Sequence, residues 1–330
     1  MRKDRQHGDS KCCRTGGLRE HTTAGLDMMC RSRLRRLVFG RTLRTGVAVR
    51  VQSGSLIRRR VLGRELRRLR KEANYTLEAA APLLDWSPSK LCRIEMGKQA
   101  VDVHGVRGML DLYDAGGDPW KKLVTLARES RQKGWWQAYG LGEHTFYIGY
   151  EAEASGVRDF TVDLVPGLLQ TSEYSRALFV ASPVCRSDEE LANEVTVRMI
   201  RQQRLTSSEN PLELVSIINE DVLHRPVGGI EVLRQQLCHL AVAAELPSVT
   251  LQVLPRSVGA HTAMGSGFVV LSFGDLGEPD MAYVEHALGA LLMDEENDVA
   301  RARLSFDRLR SDALSPAESL ALIQRVAEKR

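Results

Sequence analysis

The sequence predicts a multidomain chain in which an all-α domain of five short helices is followed by a mixed α/β domain. Two observations lead to this prediction. Over residues 55–132, apolar residues recur at helical spacing between short turn signals. Over residues 133–330, strand-like runs alternate with helical patterns. Residues 1–54 lack sustained periodicity and are rich in Arg, Gly, Ser and Thr, so we predict a disordered basic N-terminal segment there.

The charge of the chain is concentrated at one end. The 330 residues carry a formal net charge of only +4. Residues 1–75 nevertheless contain 21 Lys and Arg against 6 Asp and Glu, whereas residues 76–330 contain 25 against 36. A basic end on an acidic body indicates a polyanionic partner, most simply nucleic acid; a solvated basic tail is the alternative. A further hypothesis is that residues 1–54 precede the natural start codon, which mass spectrometry of protein from the native host would test.

The composition also disfavours several classes of protein. No run approaches the ~18 apolar residues of a membrane helix, and no apolar segment typical of a secretory signal follows the basic start. The six cysteines form no CxxC pair and no Cys/His cluster with zinc spacing. We therefore expect a cytoplasmic protein with reduced thiols and with neither a metal nor a cofactor.

The first two helices of the all-α domain are predicted from periodicity and capping residues. Leu62, Leu66 and Leu69 share one face of a helix. Asn74 lies where the chain must leave that helix, because asparagine tolerates the left-handed conformation. Thr76 is an N-cap for a second helix, which we expect to run to residue 84.

The third helix has a strongly specified start. Ser87 is an N-cap and Pro88 occupies the first helical position. Leu91 and Ile94 point inward, and Gly97 ends the helix. The outward face near the N-terminus carries Ser89, Lys90 and Arg93.

The remaining elements are predicted from the same kinds of pattern. A fourth helix covers residues 103–113, and a fifth begins with Asp118 as its cap before Pro119 and runs to about residue 131. In the α/β domain, strands are predicted over residues 212–218, 249–254, 267–273 and 281–284. Helices are predicted there over residues 171–181, 188–205, 229–245, 298–310 and 316–329.

Two helices joined by a short turn, the second with a polar N-terminus, predict a helix-turn-helix, whose second helix enters the major groove of DNA. GRELRRLRKEANYTLEAAA and SPSKLCRIEMGK resemble the XRE-type, lambda-repressor-like helix-turn-helix. The resemblance covers about 75 residues. The matched structural positions are Leu66, Leu69, Ala81, Leu91, Ile94, Glu95 and Gly97.

The resemblance also implies roles for the polar residues. Ser89, Arg93 and Lys90 would face bases, and Ser87 and Lys98 would contact phosphate. Glu95 would pair with an arginine of the first helix, either Arg67 or Arg70. Together with further contacts expected from the first two helices, the predicted DNA-binding set is Ser87, Ser89, Lys90, Arg93, Lys98, Thr76, Arg64, Arg67 and Arg68.

Four residues depart from the family pattern. Leu77 stands where a DNA-facing glutamine is common, and Ala80 replaces a core leucine. Asp85 replaces a turn glycine, although aspartate tolerates a positive φ better than most residues. Pro82 lies inside the second helix, so we expect that helix to be kinked or short.

The α/β domain carries a second resemblance. WWQAY, VPGLLQT followed by a tyrosine, INEDVLHRPVGG and YVEH occur in the order typical of the C-terminal domain of Scr-type, antitoxin-like regulators of high-GC bacteria. This resemblance covers nearly all of residues 134–325. It implies a domain that dimerises or binds a signal or a small acidic partner of the BldB-like type.

Several features of the α/β domain leave alternatives open. Glu151, Glu153 and Arg158 are predicted on one helical stretch, either as a charged face or as a buried Glu–Arg pair. A glycine-rich loop between two predicted strands is interpreted as a hairpin loop or as a ligand or partner loop. The loop residues are Gly259, His261, Gly265 and Gly267, and they lack the spacing of a nucleotide-binding motif.

Catalysis is not expected. The chain contains no HExxH or GxSxG motif. A hydrolase would instead need a constellation such as His261, His286, Glu285, Glu220 and Asp221 to converge.

The sequence therefore predicts a transcription regulator that binds double-stranded DNA as a homodimer and is nucleoid-associated when bound. The alternatives are an antitoxin-like protein that mainly holds a small acidic partner, and an interaction protein that has lost DNA binding.

Overall fold

The computed structural model describes residues 55–141, 146–286 and 288–330. The N-terminal segment predicted to be disordered, residues 1–54, lies outside the described residues. The described chain contains an all-α domain followed by a mixed α/β domain, as predicted. In the described residues, no helix is both long and apolar enough to cross a membrane.

Five helices form the all-α domain: α1 (Ser55–Glu72), α2 (Leu77–Leu83), α3 (Pro88–Glu95), α4 (Val103–Leu112) and α5 (Gly117–Glu129). Side-chain caps set the starts of three of them. Thr76 Oγ1 accepts a hydrogen bond from Ala79 N at 3.1 Å, and Ser87 Oγ accepts one from Lys90 N at 3.2 Å. At α4, Asp102 Oδ1 accepts from Gly105 N at 2.7 Å. The proline at position 82 lies in the last turn of α2, and that helix is only seven residues long.

The start of α5 differs from the prediction. Its N-cap is Gly116, and Asp118 lies inside the first turn rather than capping it. Gly117 has a φ of +71°, which glycine adopts without a steric penalty, so the backbone of two glycines turns the chain into the helix. Asp118 remains favourable near the positive end of the helix dipole.

The α/β domain is built on one six-stranded sheet in the order β3-β2-β1-β4-β5-β6. Its strands are β1 (Gly156–Thr161), β2 (Glu213–Asn219), β3 (Val249–Leu254), β4 (Phe268–Ser272), β5 (Met281–His286) and β6 (Gly289–Met293). Strands β1, β2 and β3 pair in parallel, and β4, β5 and β6 continue the sheet from β1 in antiparallel pairs. The helices of the domain are α6 (Phe146–Glu153), α7 (Ser172–Ala181), α8 (Asp188–Gln202), α9 (Ile230–Ala243), α10 (Glu296–Asp312) and α11 (Pro316–Glu328).

Each face of this sheet has its own apolar core. On one face, buried residues of β1, β2 and β3 pack with α9 and α11, for example Leu251 with Leu237 and Ile323. On the other face, Phe160 and Ile217 pack against Phe306 of α10. The alternation of buried side chains on the two faces follows from the two-residue period of a strand.

Two strands were missed by the sequence prediction, β1 and β6. Arg158 was predicted on a helical stretch but lies in β1, where it faces Val215 of β2 and Val270 of β4. The charged residues Arg158 and Asp159 interrupt the apolar pattern that normally marks a central strand. The five-residue β6 is too short to show a period.

The interpretation of the glycine-rich segment as a hairpin loop is also wrong. The strands on either side of it, β3 and β4, are separated in the sheet by β2 and β1. The chain leaves the carboxyl end of β3 and enters β4 at Phe268, which is paired with Phe160 near the carboxyl end of β1. The connection therefore crosses the carboxyl ends of two parallel strands.

Helix α1 contributes to the cores of both domains. Leu62 and Leu66 are buried in the core of the all-α domain, together with Leu91 and Ile94 of α3. One and a half turns earlier, Ile57 is fully buried in the main core of the α/β domain. Helix α1 therefore packs in both domains, although the chain passes from the first domain to the second only after α5.

Candidate nucleic-acid interface

Helices α2 and α3 form a helix-turn-helix. The connection between them contains Asp85, whose φ of +56° gives the tight left-handed turn for which glycine is common. Asn74 adopts a φ of +60° in the preceding connection, as predicted. These two positive-φ residues set the directions in which α2 and α3 leave their turns.

Helix α3 has one buried and one exposed side. Leu91, Ile94 and Glu95 are buried against the rest of the domain. Ser89 and Arg93 are exposed, and Lys90 is half-buried. The structure therefore brings the three predicted base-facing residues onto one outward surface beside the capped N-terminus of the helix, where backbone N–H groups favour a phosphate.

A buried ion pair fixes α3 to α1. Arg70 donates from Nε to Glu95 Oε1 at 2.6 Å and from Nη2 to Glu95 Oε2 at 2.8 Å, and its third nitrogen donates to Tyr75 O at 2.7 Å. The side chains of Arg70 and Glu95 are only 7% and 3% exposed. Of the two arginines expected to pair with Glu95, Arg70 does so, and Arg67 is exposed on the helix surface. The hydrogen bond to Glu95 raises the pKa of Arg70, although burial opposes it.

Two glycines allow α1 to approach the end of α3 closely. A Cβ on Gly63 would lie 2.5 Å from Ile94 O, so no larger residue fits there without backbone movement. Gly97 ends α3 with a φ of +70°, and a Cβ there would lie 2.8 Å from Arg60 Cα. Gly97 was predicted from its position after the helix, but Gly63 carried no local signal.

Both long basic side chains on the exposed side of α3 have partners that hold them. Arg93 Nε donates to Gln99 Oε1 at 3.0 Å. Lys90 Nζ lies 4.2 Å from the ring centroid of Trp86, within the range of a cation–π contact. Gln99 and Trp86 were not among the predicted site residues, because neither lies in a patterned position of the motif.

The arginines of α1 have different environments. Arg64 donates from Nη1 to Glu278 Oε2 at 2.5 Å and from Nη2 to Gly277 O at 2.7 Å, so it faces the turn between β4 and β5. Arg68 is exposed and pairs with Glu65 and Glu72 of the same helix. Of the three arginines expected to contact phosphate, Arg64 is therefore engaged by the α/β domain, whereas Arg67 and Arg68 are exposed on α1.

The contact between the two domains centres on Glu278. Its side chain is 1% exposed and accepts from Arg60 Nε at 2.6 Å as well as from Arg64. Arg60 also donates to Asp294 Oδ2 at 2.7 Å. Desolvation lowers the pKa of Arg60, but the hydrogen bonds and charges of its two acidic partners outweigh it and the net direction is upward.

The acidic residues of α6 are part of a second buried network. Glu151 accepts from Arg201 Nε at 2.7 Å and from Arg201 Nη2 at 2.6 Å, and Glu153 accepts from Arg58 of α1 at 3.1 Å. A buried Glu–Arg pair was one of the two alternatives, but its arginine comes from α8, 50 residues away, and not from Arg158. Near this pair, burial raises the pKa of Asp159 to about 7; the charge of Glu151 adds to the rise and Arg201 opposes it.

The glycine-rich connection contains the predicted ligand or partner loop. His261 packs edge-on against Phe160, with the ring centroids 5.6 Å apart, and its Nδ1 accepts from Ala263 N at 3.3 Å. A cavity of about 670 Å³ lies between residues 260–262 and the C-terminal half of α10. Gly259 has a φ of +67° and Gly265 has open space around it, whereas a Cβ on Gly267 would lie 2.5 Å from Phe160 O.

The residues considered for catalysis do not form one cluster. Glu220 and Asp221 follow β2 and bind Arg256, by a 3.0 Å bond from its backbone nitrogen and a 2.6 Å bond from its Nε, respectively. Glu285 and His286 lie at the end of β5, from which β2 is separated by β1 and β4. Across residues 55–141, 146–286 and 288–330, no group of three or more His, Cys, Asp or Glu side chains is arranged to hold a metal ion.

Comparisons with known protein families agree with this organisation. Residues 61–122 match a family described as a helix-turn-helix domain, which indicates a DNA-binding regulator. Residues 145–325, more than half of the chain, match a domain of unknown function, DUF5753. The chain therefore belongs to the family of proteins that contain DUF5753. No curated protein and no solved structure matches the chain.

Proposed function

We propose that the protein is a sequence-specific transcription regulator of the XRE type that places α3 in the major groove of DNA. The observation that carries this proposal is the outward surface of α3, where Ser89, Lys90 and Arg93 stand beside a capped helix N-terminus. The buried pair between Arg70 and Glu95 supports it by fixing α3 on the domain. An α-helix fits the major groove, where each base pair presents a distinct pattern of donors and acceptors.

The residues around α3 have separate roles in this proposal. Arg93 and Ser89 contact base edges, and Lys90, held over Trp86, lies where it reaches a base or the adjoining phosphate. Ser87, Thr76 and Lys98 contact phosphates at helix ends, and Arg67 and Arg68 add charge. Arg64 is proposed to act in the contact with Glu278 instead, because that carboxylate is buried, whereas the carboxylates that pair with Arg68 are exposed.

The proposed DNA complex is a homodimer on a two-fold site. One recognition helix reads only a few base pairs, and dimeric helix-turn-helix proteins bind half-sites about one helical turn apart. Light scattering of the protein bound to its operator tests this, and a strict monomer on DNA would count against it. We infer a cytoplasmic location, with nucleoid association in the DNA-bound state, because DNA is the proposed partner.

The α/β domain is proposed as the part that dimerises or binds a signal or partner. The glycine-rich connection favours this role, because it crosses the carboxyl ends of parallel strands, where open α/β sheets commonly bind ligands. The alternative is an antitoxin-like protein in which this domain mainly holds a small acidic, BldB-like protein and DNA binding serves autoregulation. Co-purification of a small acidic protein would favour that alternative. Neither role requires catalysis.

The proposal is tested with DNA from upstream of the protein's own gene. The full chain is compared with Arg93→Ala and with the control Arg301→Ala, which removes one exposed positive charge from α10. We expect specific binding by the wild type and the control, loss of it in Arg93→Ala, and weaker binding at higher salt. Binding that Arg93→Ala leaves unchanged would contradict the placement of α3, and insensitivity to salt would contradict the phosphate contacts.

A further inference from the structure

Arg93 is held by a residue outside its own helix. Its Nε–H donates to Gln99 Oε1 at 3.0 Å, although Gln99 follows the end of α3. Arg93 is exposed and Gln99 is half-buried. A long side chain on a helix surface ordinarily samples many rotamers, so this contact selects among them.

The backbone places Gln99 where it can make that contact. Lys98 N donates to Arg93 O at 2.9 Å, and Gln99 N donates to the same oxygen at 3.2 Å. Gly97, in its left-handed conformation, reverses the chain so that both bonds form. Gln99 is therefore tied to Arg93 twice, once by its main chain and once by its side chain.

The use of Nε has a chemical consequence. A guanidinium has five N–H donors in a planar fork, and a bond from Nε fixes the plane while the two terminal nitrogens stay available. Two parallel N–H groups from those nitrogens match O6 and N7 of guanine in the major groove. Glutamine suits the supporting position because its carbonyl oxygen accepts without neutralising the charge of Arg93.

We propose that Gln99 is a positioning residue that holds the guanidinium of Arg93 in the orientation that reads guanine. This inference rests on the proposed function, since it concerns how Arg93 discriminates between bases. Gln99 itself need not touch DNA. A neutral substitution that removes the acceptor of Gln99 should therefore change the discrimination between bases at one position of the site and leave the affinity for non-specific DNA unchanged.

The experiment measures base discrimination at a defined position. The preferred site of the full-length wild type is first selected from a random duplex library. The position read by Arg93 is the one at which Arg93→Ala loses discrimination. Dissociation constants are then measured on the selected site and on duplexes changed at that position. The proteins compared are the wild type, Gln99→Met, which has a similar length but lacks the acceptor, and Gln99→Glu, which keeps it.

We expect Gln99→Met to lose about fivefold or more of the discrimination at that one position, within the range of a bidentate contact. Its binding to non-specific DNA and its salt dependence should match the wild type. Gln99→Glu should retain the discrimination, because a carboxylate also accepts from Nε, while its negative charge should weaken binding to all sequences alike. The double variant Arg93→Ala with Gln99→Met should show the same discrimination as Arg93→Ala alone, because Gln99 acts only through Arg93.

Other outcomes would overturn the inference in distinguishable ways. Wild-type discrimination in Gln99→Met would show that Gln99 does not position Arg93, while the proposed function would stand. Equal losses in Gln99→Met and Gln99→Glu, or losses spread over all positions, would show that Gln99 only stabilises the turn. A wild type that selects no sequence would overturn the proposed function and this inference with it.

Discussion

The buried pair between Arg70 and Glu95 gives the sharpest prediction for stability. The change is Glu95→Ala, which removes both acceptors of a guanidinium whose side chain is only 7% exposed. Arg70 would keep one bond to Tyr75 O and would leave a positive charge without its counter-charge inside the domain. Breaking a buried pair in this way costs about 3–5 kcal/mol, far more than the loss of an exposed pair.

The expected loss is large compared with the stability of a domain. Folded domains are stable by about 5–15 kcal/mol, so Glu95→Ala should lower the midpoint of denaturation strongly. The matched control is Glu72→Ala, which removes the exposed partner of Arg68 on the same helix. Exposed pairs contribute about 0–1 kcal/mol, so the control should unfold almost like the wild type.

The assay is urea unfolding of the wild type and both variants, monitored by circular dichroism. A double variant, Arg70→Met with Glu95→Leu, should recover much of the loss because it leaves no charge behind. Equal stability losses in Glu95→Ala and Glu72→Ala would refute the reasoning, since burial would then make no difference. A double variant as unstable as Glu95→Ala would show that shape, and not the unpaired charge, causes the loss.

Two further predictions concern the α/β domain and its contact with α1. Burial raises the pKa of Asp159 to about 7 in the folded chain, above its ordinary value near 4. The folded state then binds more protons than the unfolded state between these values, so this group's contribution to stability is present at low pH and is lost as pH rises from about 4 to 7. Asp159→Asn should remove that part of the pH dependence in thermal melts, and an unchanged pH profile would argue against a buried, protonated Asp159. Glu278→Gln should weaken the contact with Arg60 and Arg64 by about 1–2 kcal/mol, a reduced figure because both arginines remain partly exposed. Hydrogen exchange should rise in residues 55–64 and 276–280 but not in α3, and a rise confined to α3 would contradict this account.

The all-α domain could be predicted closely because its signals are local. Each of these signals acts within a few positions of itself. They are the caps Thr76 and Ser87, the turn residues Asn74 and Asp85, and the terminal Gly97. The conformation that each residue favours is the conformation found. At α5 the local signal was ambiguous, because a glycine pair and an Asp-Pro pair lie side by side and the backbone freedom of glycine prevailed.

The sheet could be predicted only in part, because its strands are defined by distant partners. Strand β1 pairs with β2 and β4, which lie more than 50 residues further along the chain, and its charged residues hide the apolar pattern. The positions of β3 and β4 in the sheet likewise depend on distant strands, because β2 and β1 lie between them. In the sequence, the glycine-rich connection between β3 and β4 therefore resembles a hairpin loop.

The candidate site shows the same division. Its outward residues followed from the helical period of α3, but the partners that hold them did not. The choice of Arg70 over Arg67 depends on the rotation of α1 about its axis when it packs on α3. The contact of Gln99 with Arg93 depends on the geometry after Gly97, which sequence spacing does not specify.

Helix α1 connects the helix-turn-helix to the sheet by contacts on both sides. Helix α1 contributes Ile57 to the core of the α/β domain and Leu66 to the core beneath α3. Arg60 lies against Gly97 at the end of α3 and also binds Glu278 in the turn between β4 and β5. A rotation of the helix-turn-helix away from the sheet would break the bonds to Glu278 and expose Ile57, and the exposure alone would cost about 1.5–3 kcal/mol. Packed interiors transmit displacements instead of absorbing them. A shift of the turn between β4 and β5 would therefore move Arg60 and, through it, the end of α3.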